Sequence, residues 1–154
     1  MQFPMLWRVT VFERGVALLE NISAWRGRVR STHAHLETGK RGEDAAYFHL
    51  RRNGFTIVAR RWSDGPLPGD IDLIAWKDDV LCFIEVKTRT SKDVATASIA
   101  VDREKRRVLR SLARQYLRQL PEGDEPDVRF DIVTVYELPG KPREVTLIPA
   151  AFGW

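Results

Sequence analysis

The sequence predicts an α/β domain in which amphipathic helices flank a mixed β-sheet. Two observations lead to this fold class: short β-rich runs bounded by turn residues, and two long segments with the apolar spacing of a helix. Strands that alternate with long amphipathic helices pack as layers around one sheet. At 154 residues the chain is long enough to bury the core of one such domain.

The first predicted helix covers residues 38–53, with Thr38 as a suitable cap and Gly54 at its end. Glu43 falls in the middle of the apolar stripe of this helix, which also contains Leu50. A carboxylate on a core-facing side is costly unless it is paired, hydrogen-bonded or metal-bound. Glu43 is therefore either a functional acid or a partly exposed residue with small neighbours.

The other elements follow from β-rich composition and from the turns between them. A second helix runs from a cap at Asp102 to Leu120, where Pro121 ends it. Segments rich in Pro, Gly and Asp separate most of the strands. The predicted strands cover residues 55–62, 70–77, 80–87, 128–138 and 144–148.

The hairpin of residues 70–87 brings acidic side chains together. A turn at its centre places Asp72 directly opposite Glu85. The same register places Asp70 opposite Lys87. Opposed side chains have Cβ atoms about 5 Å apart, and like charges in that position destabilise a sheet unless a cation compensates them. Lys87 is one such cation and a divalent metal is another; carboxylate oxygens suit Mg²⁺ or Mn²⁺.

The second helix has an apolar side and a strongly cationic side. A solvated helix face usually mixes charges, whereas here Glu104 alone relieves a run of arginines within an arc of about 80°. We expect this arginine ridge, with Arg89 and Lys92 before the helix, to bind phosphates; a merely solvated face is the alternative. The ridge consists of Arg103, Arg107, Arg110, Arg114 and Arg118.

Net charge, cysteine count and the lengths of apolar runs limit the classes of protein to which this chain can belong. A net charge of +4 and a sequence pI near 9.5 favour an anionic partner. One cysteine, Cys82, excludes an internal disulfide and a cysteine-rich zinc cluster. No apolar run approaches the roughly 18 to 20 residues of a membrane span. A cytoplasmic protein is therefore expected.

The hairpin residues match what phosphodiester hydrolysis requires. A phosphodiester resists attack because its negative charge repels the nucleophile and its leaving alkoxide is poor. A metal held by two carboxylates lowers the pKa of its bound water and stabilises charge on the phosphate oxygens. Lys87, two residues after Glu85 on the same strand face, can reach that water or the phosphate. Glu43 can add an outer-sphere ligand or position a water.

Asp72 followed by Glu85-Val86-Lys87 resembles the PD-(D/E)xK nuclease motif, and five motifs in order resemble the YraN-like family of small bacterial proteins. That family is predicted to have a restriction-endonuclease-like fold, similar to archaeal Holliday-junction resolvases. The resemblance therefore implies a restriction-endonuclease-like mixed sheet flanked by helices. The motifs are Thr-Gly-Lys-Arg-Gly-Glu at 38–43, Gly-Asp-Ile-Asp-Leu-Ile at 69–74, Phe-Ile-Glu-Val-Lys-Thr-Arg at 83–89, Ala-Val-Asp-Arg-Glu-Lys at 100–105 and Arg-Phe-Asp-Ile-Val at 129–133.

Transferred position by position, the resemblance implies metal ligands at Asp72 and Glu85, together with the backbone carbonyl of Val86. It also implies a catalytic lysine at Lys87 and a supporting catalytic acid at Glu43. Mg²⁺ or Mn²⁺ is the implied cofactor.

Two features fall outside the family pattern. Where the family usually has Glu, this chain has Asp70, so the role of that acid stays unsettled. Residues 1–37 match none of the motifs and are expected to form an N-terminal extension, followed by a nuclease-like domain at 38–154.

We therefore expect a Mg-dependent endodeoxyribonuclease that hydrolyses phosphodiester bonds of DNA, with branched and single-stranded DNA among its candidate substrates. Two alternatives stay open: a nucleic-acid-binding module with the same fold that does not cut, and a protein in which Asp72, Glu85 and Lys87 form only a buried ion network. RNA is not excluded as a partner, because a phosphate-binding ridge does not distinguish the sugars. A homodimer is compatible with the resemblance, since junction resolvases work as dimers.

Overall fold

The computed structural model describes residues 32–91, 101–121, 123 and 125–154, with side chains from residue 36 onward. Two helices, α1 (Thr32–Arg52) and α2 (Arg103–Leu117), accompany five strands. The strands are β1 (Phe55–Trp62), β2 (Ile71–Lys77), β3 (Val80–Arg89), β4 (Asp127–Tyr136) and β5 (Glu144–Phe152). Neither described helix is both long and apolar enough to cross a membrane.

The five strands form one mixed sheet in the order β1-β2-β3-β4-β5. β3 and β4 pair in parallel, and the other neighbours pair antiparallel. A parallel pair needs a crossover connection, and α2 lies on the connection between β3 and β4. This confirms the predicted α/β class with a mixed sheet and flanking helices.

The two helices cover opposite faces of the sheet. On one face α2 buries Leu112 and Tyr116 against Phe83 and Phe130, with the rings of Phe83 and Tyr116 edge to face at 5.8 Å between centroids. Such packed aromatic side chains contribute much of the buried apolar surface of a core. The face under α2 is therefore the larger and more aromatic half of the core.

On the other face, α1 contributes small and aliphatic side chains. Ala46 and Leu50 are fully buried among residues that include Ile84 and Val133. Gly42 lets the helix approach β3 closely, since a Cβ at this position would lie 1.8 Å from Oγ1 of Thr88. The amino-terminal half of α1 is thereby held at the carboxyl end of β3.

The predicted hairpin register is confirmed where the strands pair. Lys77 pairs with Val80, and the ladder continues to Leu73 opposite Ile84. Regular pairing in this hairpin stops there. The predicted direct pairings of Asp72 with Glu85 and of Asp70 with Lys87 are therefore not part of the observed ladder.

The regular alternation of side chains between the two faces of the sheet is interrupted at Asp72. Ile71 and Leu73 are two residues apart, yet Ile71 packs under α2 and Leu73 packs under α1. Successive side chains of a regular strand point to opposite faces, so residues two apart would share a face. This irregularity turns the Asp72 carboxylate toward β3, where it meets the backbone of Val86.

Helix boundaries agree with the sequence analysis in part. Asp102 caps α2 as predicted, and its side chain accepts a hydrogen bond from the backbone N–H of Lys105. The helix ends at Leu117, before the predicted end at Leu120. α1 begins at Thr32 and not at Thr38, so it runs across the predicted boundary between residues 37 and 38. Residues 1–31 of the predicted extension lie outside the described residues.

The last strand is longer than predicted, because a buried carboxylate supports its end. β5 continues past residue 148 to Phe152, which pairs with Phe130 across a register shift. The fully buried Asp131 lies at this register shift, and its carboxylate accepts a hydrogen bond of 2.9 Å from the backbone N–H of Ala150. Arg129 donates a further hydrogen bond to the Asp131 carboxylate at 3.0 Å. The buried charge is thus both paired and hydrogen-bonded, as burial requires.

Candidate active site

Glu85 is the centre of a charged cluster on the α2 side of the sheet. It follows Phe83 on the same strand face, and it is buried to 5% exposure. Lys87 Nζ lies 2.8 Å from its Oε1, and Lys105 Nζ lies 3.1 Å from its Oε2. Lys105 forms an ion pair with Oε2, and this oxygen makes no further hydrogen bond in the described part of the chain. Two ammonium groups therefore surround one buried carboxylate.

Asp72 joins this cluster from β2. Its Oδ2 accepts a hydrogen bond of 2.7 Å from the backbone N–H of Val86, the residue between Glu85 and Lys87. Burial, followed by the negative charge of Glu85, raises the pKa of Asp72 to about 7. The convergence predicted for Asp72, Glu85 and Lys87 is thus present, and it creates the charge conflict that the register implied.

Lys105 is the site residue that the sequence analysis missed. It comes from the first turn of α2, and its Nζ also donates to the backbone oxygen of Asp70 at 3.2 Å. Burial alone would lower the pKa of Lys105, but the surrounding carboxylates, led by Glu85, outweigh it and raise the pKa above its ordinary value. The sequence contained one signal for Lys105, because the family-like motif at residues 100–105 ends at this lysine.

Glu43 lies at the margin of the cluster and not at its centre. Its carboxylate is 3.6 Å from Nε of Arg61, and the same Nε is 3.7 Å from the carboxylate of Asp70. Burial raises the pKa of Glu43 above its ordinary value, and the charge of Arg61 opposes that change. The described contacts therefore connect Glu43 to the site through Arg61 and Asp70.

Arg61, which contacts both Glu43 and Asp70, has an unusual backbone conformation. Its φ is 49°, in the left-handed region that side chains other than Gly rarely adopt. Such conformations cost about 1–3 kcal/mol and persist where the surrounding structure imposes them. Asp70, whose role the sequence left open, thus serves two contacts: its carboxylate faces Arg61 and its carbonyl accepts from Lys105.

The donor set suits a hard divalent cation. Within the described ranges, no group of three or more His, Cys, Asp and Glu side chains is placed to hold a metal. Asp72 and Glu85 are nevertheless two adjacent carboxylates, and Oε2 of Glu85 is a buried acceptor without a hydrogen bond. Carboxylate oxygens supplemented by backbone carbonyls and water are typical Mg²⁺ ligands. These two residues, with the carbonyl of Val86, therefore fit the predicted metal.

The arginine ridge divides into two parts. Arg110 donates two hydrogen bonds to the backbone oxygen of Gly153, at 2.9 and 2.7 Å. The guanidinium of Arg114 lies 5.7 Å from the ring centroid of Trp154, as in a cation–π contact. These two residues hold the carboxyl-terminal segment. The other three members of the ridge, Arg103, Arg107 and Arg118, are exposed.

The remaining predicted phosphate-binding residues lie before α2. Arg89 is half-buried at the end of β3, and Lys92 falls outside the described residues. Phosphate binding by the ridge and by these two residues stays a prediction.

Comparison with known proteins identifies relatives along most of the domain. The pattern of the uncharacterised protein family UPF0102 matches residues 42–135. A UPF0102 protein of Koribacter versatilis is 53% identical over 118 residues, which cover 77% of this chain and 80% of that protein. A UPF0102 protein of Symbiobacterium thermophilum is 40% identical over 116 residues, covering 74% of this chain and 94% of its own. The names of these relatives state a family and no activity.

Replacing Lys105 with Met is expected to lower the free energy of unfolding by about 1–3 kcal/mol, because removing one partner leaves the buried Glu85 carboxylate less compensated. Chemical denaturation measures the change. Met and Lys have similar helix propensities, so the helix itself is little affected. Arg103→Met, at an exposed position of the same helical turn, is the matched control and should change stability by less than about 0.5 kcal/mol. Equal effects of the two substitutions would contradict the assigned role of Lys105.

The raised pKa of Asp72 predicts a pH-dependent stability difference between wild type and Asp72→Asn in the presence of a chelator. A carboxyl whose pKa is higher in the folded state is ionised first in the unfolded chain, so wild type loses stability as pH rises from 3.8 to about 7. The Asn variant lacks this loss. Its stability relative to wild type should therefore increase by about 1–3 kcal/mol across this range, allowing for solvent screening. Parallel stability curves in denaturation at several pH values would contradict the assignment.

Proposed function

This chain belongs to the uncharacterised protein family UPF0102, the YraN-like family that its motifs predicted, and we propose that it is a metal-dependent nuclease hydrolysing phosphodiester bonds of DNA. One observation carries the proposal: two carboxylates from paired strands converge beside a lysine at a buried position. Asp72 and Glu85 are the acids, and Lys87 is the lysine. We further propose that the protein acts in the cytoplasm.

In the proposed mechanism Asp72 and Glu85 would hold the metal, together with the backbone carbonyl of Val86. When bound, Mg²⁺ or Mn²⁺ would supply an activated water and stabilise negative charge on the phosphate oxygens. Because the pKa of Asp72 is raised, a cation beside the pair would favour the ionised form of this carboxyl. Metal binding at this carboxylate would therefore depend on pH.

The lysines have separate tasks in the proposal. Lys87 contacts Oε1 of Glu85 with one of its three N–H donors, and the others are available to a phosphate oxygen or to the attacking water. Lys105 fixes the position of Glu85 relative to α2, since it also contacts the Asp70 carbonyl. Lys87 is proposed as the catalytic lysine and Lys105 as a positioning residue.

Glu43 and the arginines complete the proposed assignment. Glu43 acts as a supporting acid that orients Arg61 and Asp70 beside the site. The exposed members of the arginine ridge, with Arg89 and Lys92, bind the DNA backbone. Contacts of this kind position a nucleic acid without reading its sequence.

A second candidate function is binding of nucleic acid without cleavage. The observation that favours it is the pairing of Glu85 with both Lys87 and Lys105, since two ammonium groups already compensate this carboxylate. A protein of this kind would bind DNA with strong salt dependence and would release no product when metal is added.

Cleavage assays on linear, flapped and four-way DNA with Mg²⁺ or Mn²⁺ test the proposed nuclease. Wild type is expected to cut at least one substrate in a metal-dependent manner. Asp72→Ala and Lys87→Ala should each reduce the rate by about 10²-fold or more, because each removes a group that acts on the reacting phosphate.

Asp79→Ala is the matched control, since Asp79 lies in the exposed β2–β3 turn, away from Glu85, and has an ordinary backbone conformation. This variant should cut at the wild-type rate. Activity that survives unchanged in Asp72→Ala and Lys87→Ala would show that the site assignment is wrong. Metal-independent binding without any product would favour the second candidate.

A further inference from the structure

A basic cleft lies between α1 and the turn that joins β4 to β5. It has a volume of about 260 Å³ and is open to solvent. Three cationic side chains and one carboxylate form its polar walls, a surplus of two positive charges. The cleft is lined by Arg41, Glu137, Leu138, Pro139, Lys141 and Arg143.

Glu137 organises the guanidinium groups of the basic cleft. Its side chain is 14% exposed, and its two oxygens lie 2.5 Å from Nη2 of Arg143 and 3.6 Å from Nη2 of Arg41. The arginine side chains themselves remain 46% and 63% exposed. A guanidinium carries five N–H donors, so one contact to Glu137 leaves most donors for a ligand. Both arginines are thus oriented and still able to bind.

The basic cleft adjoins the end of the strand that carries the candidate active site. The backbone N–H of Glu137 donates to the backbone oxygen of Arg89 at 2.8 Å. Arg89 lies four residues beyond Glu85 on β3, which corresponds to about 13 Å at the rise of a strand. The close approach of Gly42 to Thr88 brings the neighbouring Arg41 to the same end of the sheet. The basic cleft therefore lies at the carboxyl end of β3 and borders α1, whereas Glu85 lies on the α2 side of the sheet.

The charge and the exposed donors of the cleft suit a phosphodiester more than a neutral or cationic ligand. Arginine forks bind phosphate oxygens through paired hydrogen bonds. A DNA backbone can therefore be held in the cleft through several of these exposed donors.

We propose that the basic cleft binds the phosphodiester backbone of DNA. The choice of DNA as the ligand rests on the proposed function, whereas binding in the cleft does not depend on cleavage. The cleft contact adds to those proposed for the arginine ridge.

The test compares DNA binding by three proteins in a chelator, so that no cleavage occurs. Fluorescence anisotropy with a short labelled DNA duplex gives the affinity and its salt dependence. The cleft variant combines Arg41→Gln, Lys141→Gln and Arg143→Gln. The control variant combines Arg51→Gln, Arg52→Gln and Lys77→Gln, which remove the same charge at the opposite end of β3. Thermal unfolding checks that both variants are folded.

The cleft variant should lose about tenfold or more in affinity, and the slope of log affinity against log salt should fall by about 2 to 3, since each lost phosphate contact contributes about 0.9. The control variant should stay close to wild type. Equal losses in both variants, or no binding by wild type, would overturn the proposal. Wild-type binding that depends on the cleft, without cleavage when metal is added, would refute the nuclease and leave the cleft standing.

A folded charge-preserving variant provides a second check. Arg41→Lys combined with Arg143→Lys should retain most of the salt slope, because the charges remain near the phosphates. Loss of binding as complete as in the Gln variant would overturn electrostatic phosphate binding in the cleft. The same measurements with an RNA duplex test whether the cleft prefers DNA. An affinity for RNA well above that for DNA would overturn DNA as the ligand of the cleft.

Discussion

The burial of the Glu85 carboxylate is the constraint on which the rest of the site depends. An isolated buried carboxylate costs several kcal/mol, so it persists only when cations and hydrogen bonds compensate it. Lys87 from β3 and Lys105 from α2 supply the cations, and Asp72 from β2 supplies a second acid whose pKa is raised to about 7. Three elements of the fold are therefore coupled at one oxygen pair. A different position of α2 on the sheet would remove Lys105 and leave Lys87 to compensate this charge.

The same arrangement is compatible with an ion network and with a metal site. Two lysines beside Glu85 compensate its charge without any metal, yet the pKa of the adjacent Asp72 is still raised to about 7. Lys105 lowers the pKa of Asp72 but does not offset burial and the negative charge of Glu85. A divalent cation beside the pair would offset both effects, and this is the structural argument for a metal.

Much of the fold could be predicted because local rules and tertiary packing agree there. Alternation and the turn at Asp78 determined the hairpin register, and Asp102 has the chemistry of a helix cap. The longer β5 could not be predicted, since it depends on the fully buried Asp131, whose partner Ala150 is distant in sequence. The earlier start of α1 has no comparable signal in the pattern of its apolar residues.

The part of the candidate site that lies in the hairpin could be predicted from the sequence. Asp72, Glu85 and Lys87 lie on two adjoining strands, and the predicted hairpin register brings those strands together. The contact of Asp72 with the Val86 N–H lies beyond the last regular pair and could not be predicted from alternation. Lys105 required knowledge of how α2 sits on the sheet, which helical periodicity alone does not provide. The helix face of Glu43 indicated a functional acid, a role that stays a prediction. Its contact with Arg61 depends on a left-handed backbone that the sequence does not reveal.

Calorimetric titration with Mn²⁺ tests the central claim most directly, because it measures metal binding without requiring a substrate. Wild type is expected to bind the metal stoichiometrically with release of protons, and Asp72→Asn and Glu85→Gln should each abolish that binding. The variants keep the size and much of the hydrogen bonding of the native side chains. Absence of binding by folded wild-type protein, or binding that persists in both variants, would contradict a metal centre at the Asp72–Glu85 pair.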